Sequence, residues 1–552
     1  MSKLTTKHLN DVQRPRVSLT GYDSAASIRQ TGCTRAGSND TSRWPRPPTR
    51  RPAGLARNTT KELFYLSHAK VMNDKDSAVE IVLQGVVLCP QYLFIDNEWV
   101  GAVSGKTFPT IRPHDGKTVA QIAEADKIDV NRAVAAARRA FRRNSEWRLM
   151  TPSARGRLLH RFADLVERDA DYLKTLETTD NGMVHTMTHI MVETAVNILR
   201  YTGGLADKIH GTTIPSDFEG LSYTLKQPVG VCGLILPWNA PILMFVNKVA
   251  TALAAGCTVV VKPAEQTPLT ALALVALLAE AGMPRGVVNV VTGYGPTAGA
   301  ALTHHPHVAK ISFTGSLEVG KLVLQAAGAT NIKRVTLELG GKSPLVIFDD
   351  ADLNVALPFA TEGVFAHQGQ VCMAASRLYV QAGVYDEFVR RAVEVAKNRK
   401  VGDPFLTETQ SGPQDEERDQ NRNLLKSRPG SERSHVATVI EIASKTTRLR
   451  EQIFGPVQSI MRFETLDEVI DRANDTNYGL AAGVFTSDIQ TALQFSNLVE
   501  AGTVWVNNYF AFGPHNPFGG FKDSGFGREN GIEGILEYLD TKTVNIAFPQ
   551  TI

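Results

Sequence analysis

The run Val229-Gly230-Val231-Cys232-Gly233-Leu234-Ile235-Leu236-Pro237 reads as an apolar strand ended by a proline. Residues 258–261, 287–291, 310–313 and 335–339 repeat that texture as short β-branched runs, and residues 269–281 form a helical pattern after Thr267-Pro268. Strand, helix, strand in succession is the pattern of a parallel sheet with crossover helices. The fold class is therefore α/β.

Upstream, residues 129–134 open an Ala/Arg helix. Leu158, Leu159, Phe162, Leu165 and Val166 share one face of a longer amphipathic helix that runs out at Asp180-Asn181-Gly182. Downstream, residues 415–450 interrupt the texture: 415–422 are charged, 427–431 read as a loop, and no regular element is expected before residues 436–442. Residues 1–60 are rich in Ser, Thr, Arg and Pro and carry 11 Lys+Arg against 3 Asp+Glu. Such a composition is expected to stay disordered, as a transit peptide or a plain extension.

That leader explains the charge. The 552 residues hold 59 Lys+Arg and 56 Asp+Glu, a net of +3, yet residues 61–552 hold 48 against 53. A mildly acidic body gives no electrostatic basis for tracking a nucleic-acid backbone. No apolar run is long enough to span a bilayer, so no membrane partner is expected. The five cysteines (Cys33, Cys89, Cys232, Cys257, Cys372) are sparse and never spaced as CxxC. A disulfide scaffold and a structural zinc site are not expected, and a reducing compartment is.

Three places carry chemistry. Gly315-Ser316-Leu317-Glu318-Val319-Gly320 turns from a strand into a helix, where a backbone can approach an anion such as a pyrophosphate, although the same turn serves packing alone in many proteins. Cys372 lies among small residues in Gly369-Gln370-Val371-Cys372-Met373-Ala374-Ala375-Ser376. A turn or helix start there is expected to lower the thiol's pKa from about 8.5. Cys232 and Cys257 sit inside apolar strands and read as small core residues. Glu338 ends the strand over 335–339 between Leu337 and Leu339. Either it is desolvated and raised toward a general base, or it faces solvent at a strand edge.

Seven segments, in this order, resemble the NAD(P)-dependent aldehyde dehydrogenase superfamily: Val229-Gly230-Val231 through Leu236-Pro237-Trp238-Asn239, Val261-Lys262-Pro263-Ala264-Glu265, Phe313-Thr314-Gly315-Ser316, Leu337-Glu338-Leu339-Gly340-Gly341-Lys342, Gly369-Gln370-Val371-Cys372, Ile453-Phe454-Gly455-Pro456 and Asn516-Pro517-Phe518-Gly519-Gly520-Phe521-Lys522-Asp523-Ser524-Gly525. The 34 residues from Glu338 to Cys372 match the family's spacing. The likeness covers residues 93–415 and 451–547 and is greatest to the broad-specificity cytosolic and mitochondrial branch.

The resemblance implies a fold with a Rossmann-like NAD-binding domain (93–209 and 228–340), an α/β catalytic domain (341–538, with 415–450 atypical) and oligomerisation strands (210–227 and 539–552) behind a leader, 1–92. It implies Cys372 as nucleophile, Asn239 and the Cys372 N–H as oxyanion donors, and Glu338 as the base for the hydrolytic water. NAD would lie against Trp238, Lys262, Glu265, Gly315, Ser316, Gly320, Gly340, Gln452 and Phe454. The Glu265 carboxylate favours ribose hydroxyls over a 2′-phosphate, hence NAD over NADP. Ala240, Met244, Asn247, Phe512 and Phe518 resemble the aldehyde tunnel, and the small Ala240 and Asn247 suit bulky or aromatic aldehydes. No metal is implied. A small-molecule aldehyde, a homodimer or homotetramer, and a cytoplasmic or mitochondrial matrix location are.

Two departures from the family pattern stand out, the first expected to weaken NAD positioning without abolishing it. Gln452 stands where this branch has a Glu on the nicotinamide ribose, turning a charge-assisted hydrogen bond into a neutral one. The stretch 415–450 is shorter than its counterpart and unlike it, so a catalytically impaired or structural protein is the first alternative. A CoA-acylating enzyme is disfavoured by Glu338. A Cys–His hydrolase is disfavoured because it leaves Lys262, Glu265 and Gly315 unexplained.

Overall fold

A computed structural model describes residues 90–414, 438–441 (the strand only) and 451–548. All of them lie in one unit, Leu63–Ile552; a second unit, Met1–Glu62, and with it the expectation of a disordered leader, falls outside the described residues.

The apolar runs form one eight-stranded sheet. Across it lie Glu98–Val100, Leu93–Ile95, Val288–Val290, Thr258–Lys262, Val231–Ile235, Lys310–Thr314, Arg334–Glu338 and Gly525–Phe526. The five central strands are mutually parallel, and in chain order they stand 3-2-1-4-5. The order reverses between Val231–Ile235 and Lys310–Thr314. In open parallel sheets such a reversal leaves a crevice beyond the carboxyl ends of the two strands. Those ends deliver Trp238-Asn239 and Gly315-Ser316 to the same place. Every residue of the four strands from Val288–Val290 to Lys310–Thr314 is buried, because helices such as Pro241–Ala255 and Leu269–Glu280 cover the sheet.

A second sheet has six strands, all parallel: Thr438–Glu441, Val457–Phe463, Arg377–Gln381, Pro344–Ile347, Ala481–Phe485 and Thr503–Val506. Thr438–Glu441 falls inside the element expected at 436–442; the loop expected at 427–431 lies outside the described residues. Gly525–Phe526 follows the second sheet in sequence yet pairs with Arg334–Glu338 of the first. In a third sheet, Leu539–Ala547 pairs antiparallel with Gly220–Pro228 over nine residues, leaving Leu221, Leu225 and Ile546 exposed.

One helix expectation is corrected. The amphipathic pattern ending at Asn181 is two helices, Pro152–Arg168 and Ala170–Asn181, broken at Asp169, with Gly182 left-handed (φ 73°) at the C-terminal end. Among the described residues, no helix is long and apolar enough to cross a membrane.

Candidate active site

Glu338 is the last residue of its strand, beside Thr314 on one neighbour and Gly525 on the other. It is buried rather than facing solvent. Burial pushes its carboxyl up to about 8; the Glu529 carboxylate adds to the rise, while Lys248 and a hydrogen bond with Cys372 oppose it. Glu338 Oε1 has no hydrogen-bond partner.

Cys372 stands on a turn just after the short helical segment Ala366–Gly369. Its thiol is raised well above the ordinary cysteine value, first by desolvation, then by the negative field of Glu338 and the hydrogen bond with it; the Met373 backbone N–H works the other way. The expected lowering is therefore corrected. Burial and the neighbouring Glu338 carboxylate both disfavour the thiolate, so the group rests as a thiol.

Asn239 lies three residues beyond the end of Leu236, at the mouth of the crevice. Its amide donates to the Gln370 carbonyl at 2.8 Å, which fixes it two residues from Cys372. A primary amide has two hydrogens, so one remains for a substrate oxygen.

At the end of the neighbouring strand Thr258–Lys262, Lys262 Nζ meets Glu265 Oε2 at 2.6 Å. Burial would raise the Glu265 carboxyl, but the Lys262 ammonium overcomes it and holds the group below its usual range. Ser316 caps the twelve-residue helix Leu317–Gly328, its Oγ accepting from Val319 N at 3.4 Å. The Gly315 N–H donates to the Glu338 carbonyl at 3.1 Å, tying this turn to the strand that carries Glu338. Phe454 is left-handed (φ 58°), unusual for an aromatic residue, and its ring meets Trp238 edge to face at 5.3 Å. The Gln452 amide lies on Gly340, where its Oε1 would be 2.1 Å from a Cβ.

Gly320 sits a turn inside its helix, buried, where a Cβ would lie 2.9 Å from Leu339, so it permits close helix–sheet packing. Asn247 is buried, and its amide donates to Glu529 Oε2 at 3.1 Å. Ala240 and Met244 are half-buried at the start of helix Pro241–Ala255, and Phe512 stacks on Phe518 with centroids 6.1 Å apart.

Reasoning from sequence missed the Lys248–Glu529 ion pair, in which Lys248 is fully buried and also donates to Ser312 Oγ at 3.1 Å. A signal was present, since Lys248 is the single charged residue of a fifteen-residue apolar helix, and a buried ammonium needs a partner. Among the described residues, no group of three or more His, Cys, Asp or Glu side chains is placed to hold a metal ion.

The model of the aldehyde dehydrogenase family matches residues 99–426 and 424–544. Aldehyde dehydrogenase 1A1 of Gallus gallus is 52% identical over 476 residues, which cover 83% of this chain and 94% of that protein. Retinal dehydrogenase 2 of Mus musculus is 50% identical, with 83% and 92% covered. Among solved structures, the NAD+ complex of an aldehyde dehydrogenase from Bacillus cereus has a TM-score of 0.81 at 41% identity, covering 83% of this chain and 96% of that one. A betaine aldehyde dehydrogenase from Staphylococcus aureus in complex with NAD+ has a TM-score of 0.81 at 37% identity, covering 84% and 96%. With most of its length matched, the chain belongs to the aldehyde dehydrogenase family.

Proposed function

We propose that the protein oxidises an aldehyde to a carboxylic acid with NAD, Cys372 acting as nucleophile and Glu338 as the base for hydrolysis. The observation that carries this reading is the buried Glu338, close enough to Cys372 that its carboxylate helps to raise the thiol, with the Asn239 amide held two residues before Cys372.

The chain's residues fit NAD. The Lys262–Glu265 pair ends one strand beside the reversal, the Ser316-capped helix begins at it, and the left-handed Phe454 holds an aromatic face against Trp238. Lys262 and Glu265 would hold the adenine-side ribose, the backbone at Ser316 the pyrophosphate, and Gln452 the nicotinamide ribose. When bound, NAD supplies the hydride acceptor, and its ring carries positive charge. A cation near Cys372 offsets the field of Glu338 and favours the thiolate. The Cys372 sulfur then attacks the carbonyl carbon, and the alkoxide oxygen is received by the free Asn239 amide hydrogen and the Cys372 N–H. Loss of hydride leaves a thioester on Cys372. Glu338 takes a proton from water as that water attacks, and the acid leaves.

NADH absorbance on adding NAD and aldehydes tests this. Wild-type protein is expected to form NADH, and Cys372→Ala to fall by about 10⁴ or more while still binding NAD. A folded, NAD-binding wild type that forms no NADH with any aldehyde favours the impaired or structural reading.

The small, half-buried Ala240 and the stack of exposed Phe512 on half-buried Phe518 support bulky or aromatic aldehydes as substrates. The value of kcat/KM for an aromatic aldehyde should exceed that for acetaldehyde by tenfold or more; an acetaldehyde preference would sink this. Replacing Gln452 by Glu should lower the KM for NAD several-fold, because a carboxylate accepts a hydroxyl hydrogen bond about twice as strongly as an amide does. An unchanged KM places the ribose elsewhere. The exposed Leu221, Leu225 and Ile546 on the third sheet support subunit pairing in a homodimer or homotetramer. A rat relative named cytosolic aldehyde dehydrogenase 1 supports a cytoplasmic place.

A further inference from the structure

Three residues before Cys372 run left-handed in succession: His367 (φ 46°, ψ 41°), Gln368 (φ 57°, ψ 26°) and Gly369 (φ 75°). For the two that are not glycine, this conformation crowds the Cβ against the following carbonyl oxygen and is strained. Glycine is required at the third, where a Cβ would lie 2.1 Å from the Gly455 carbonyl of the Phe454 loop. Such strain persists only where surrounding contacts fix it, and it gathers at functional sites. Here the contact is visible: the buried Gln368 amide donates from Nε2 to the Pro413 carbonyl at 2.6 Å.

The same loop also touches the other half of the oxyanion site. Pro413 Cγ would lie 2.8 Å from a Cβ at the left-handed Gly182, so the loop rests directly on the turn after Asn181. Asn181 is fully buried; its Oδ1 accepts from Met183 N at 2.8 Å, and its Nδ2 donates to the Asn239 main-chain carbonyl at 3.3 Å. Asn239 in turn donates to Gln370, in the segment that Gln368 anchors. The loop 411–414 therefore backs both donors of the site. One path runs through Gln368 to the turn that carries the Cys372 N–H, the other through Asn181 to Asn239.

We propose that Gln368 and Asn181 are positioning residues, which set the distance between the two oxyanion donors from behind without touching substrate. The inference rests on the aldehyde-oxidation reading. It separates the donors' alignment from the thiol's own reactivity, because alkylation of a thiol develops no oxyanion.

Gln368→Glu and Asn181→Asp test it. Each keeps the shape and an acceptor oxygen but loses the N–H donor. Gln368→Met, which buries no carboxylate, covers the case in which Gln368→Glu fails to fold. Wild-type NADH formation is measured first, and a silent wild type defeats the function reading rather than this one. In an active protein, each variant is expected to slow single-turnover NADH formation tenfold or more. The KM for NAD should stay within about twofold, and the rate of Cys372 alkylation by iodoacetamide should be unchanged. Wild-type single-turnover rates in the folded variants overturn the proposal. So does a parallel fall in alkylation, which marks a site that is merely disordered.

Discussion

Replacing Glu338 by Gln should leave a single burst of NADH, close to one per active site, followed by a steady state slower by about 10²–10⁴. The amide is isosteric and still fills its buried position at the end of Arg334–Glu338, so attack by Cys372 and loss of hydride are retained. Removing the carboxylate's negative field also makes the Cys372 thiolate easier to form, since that field is part of what raises the thiol. What the variant lacks is a proton acceptor for the water that cleaves the thioester. On the proposed mechanism the base is the ionised form of Glu338, whose carboxyl burial raises to about 8. Hydrolysis should therefore accelerate as pH rises through about 8, and this limb should be missing from Glu338→Gln. Stopped-flow NADH absorbance across pH 6 to 10 checks both points. A lost burst with an intact steady state would mean that Glu338 acts in the first half of the reaction instead.

Where one short segment carries the signal, the sequence is informative. The run before Pro237 and the runs at 258–261 and 310–313 are strands because nothing but a fully covered parallel sheet accommodates them. Glu338 and Cys372 could be singled out by neighbours and spacing, and the structure brings them close enough for each to shift the other's titration. The sign of the thiol shift could not be read in that way. It depends first on burial and then on a carboxylate 34 residues away in sequence, which together outweigh the local turn. The partner of Asn247 was hidden for a related reason: Glu529 lies 282 residues downstream. The left-handed turn at His367 and Gln368 leaves no compositional trace, because neither residue type demands it. The break at Asp169 was likewise hidden, since the apolar face continues across it from Val166 to Leu173.

Glu529→Gln should cost about 3–5 kcal/mol of stability and also move the hydrolysis limb to lower pH. Lys248 is fully buried, and its ammonium has Glu529 as its carboxylate partner, with Ser312 Oγ as a neutral acceptor at 3.1 Å. An amide in place of the carboxylate leaves that buried charge uncompensated, which is the expensive way to break an ion pair. Lys248→Met with Glu529→Gln should recover much of the loss, because no buried charge then remains. The pH effect follows from the same charges. Glu529 raises Glu338, and Lys248 lowers it. Removing the carboxylate alone takes away the raising field and leaves the lowering one, so the Glu338 pKa falls below about 8. The base is then ionised at lower pH but is weaker, and the plateau rate of hydrolysis should fall with it. Calorimetry gives the stability change and pre-steady-state kinetics the limb. If the transition temperature drops while the limb stays near pH 8, the ion pair supports only the fold, and the field acting on Glu338 comes from elsewhere.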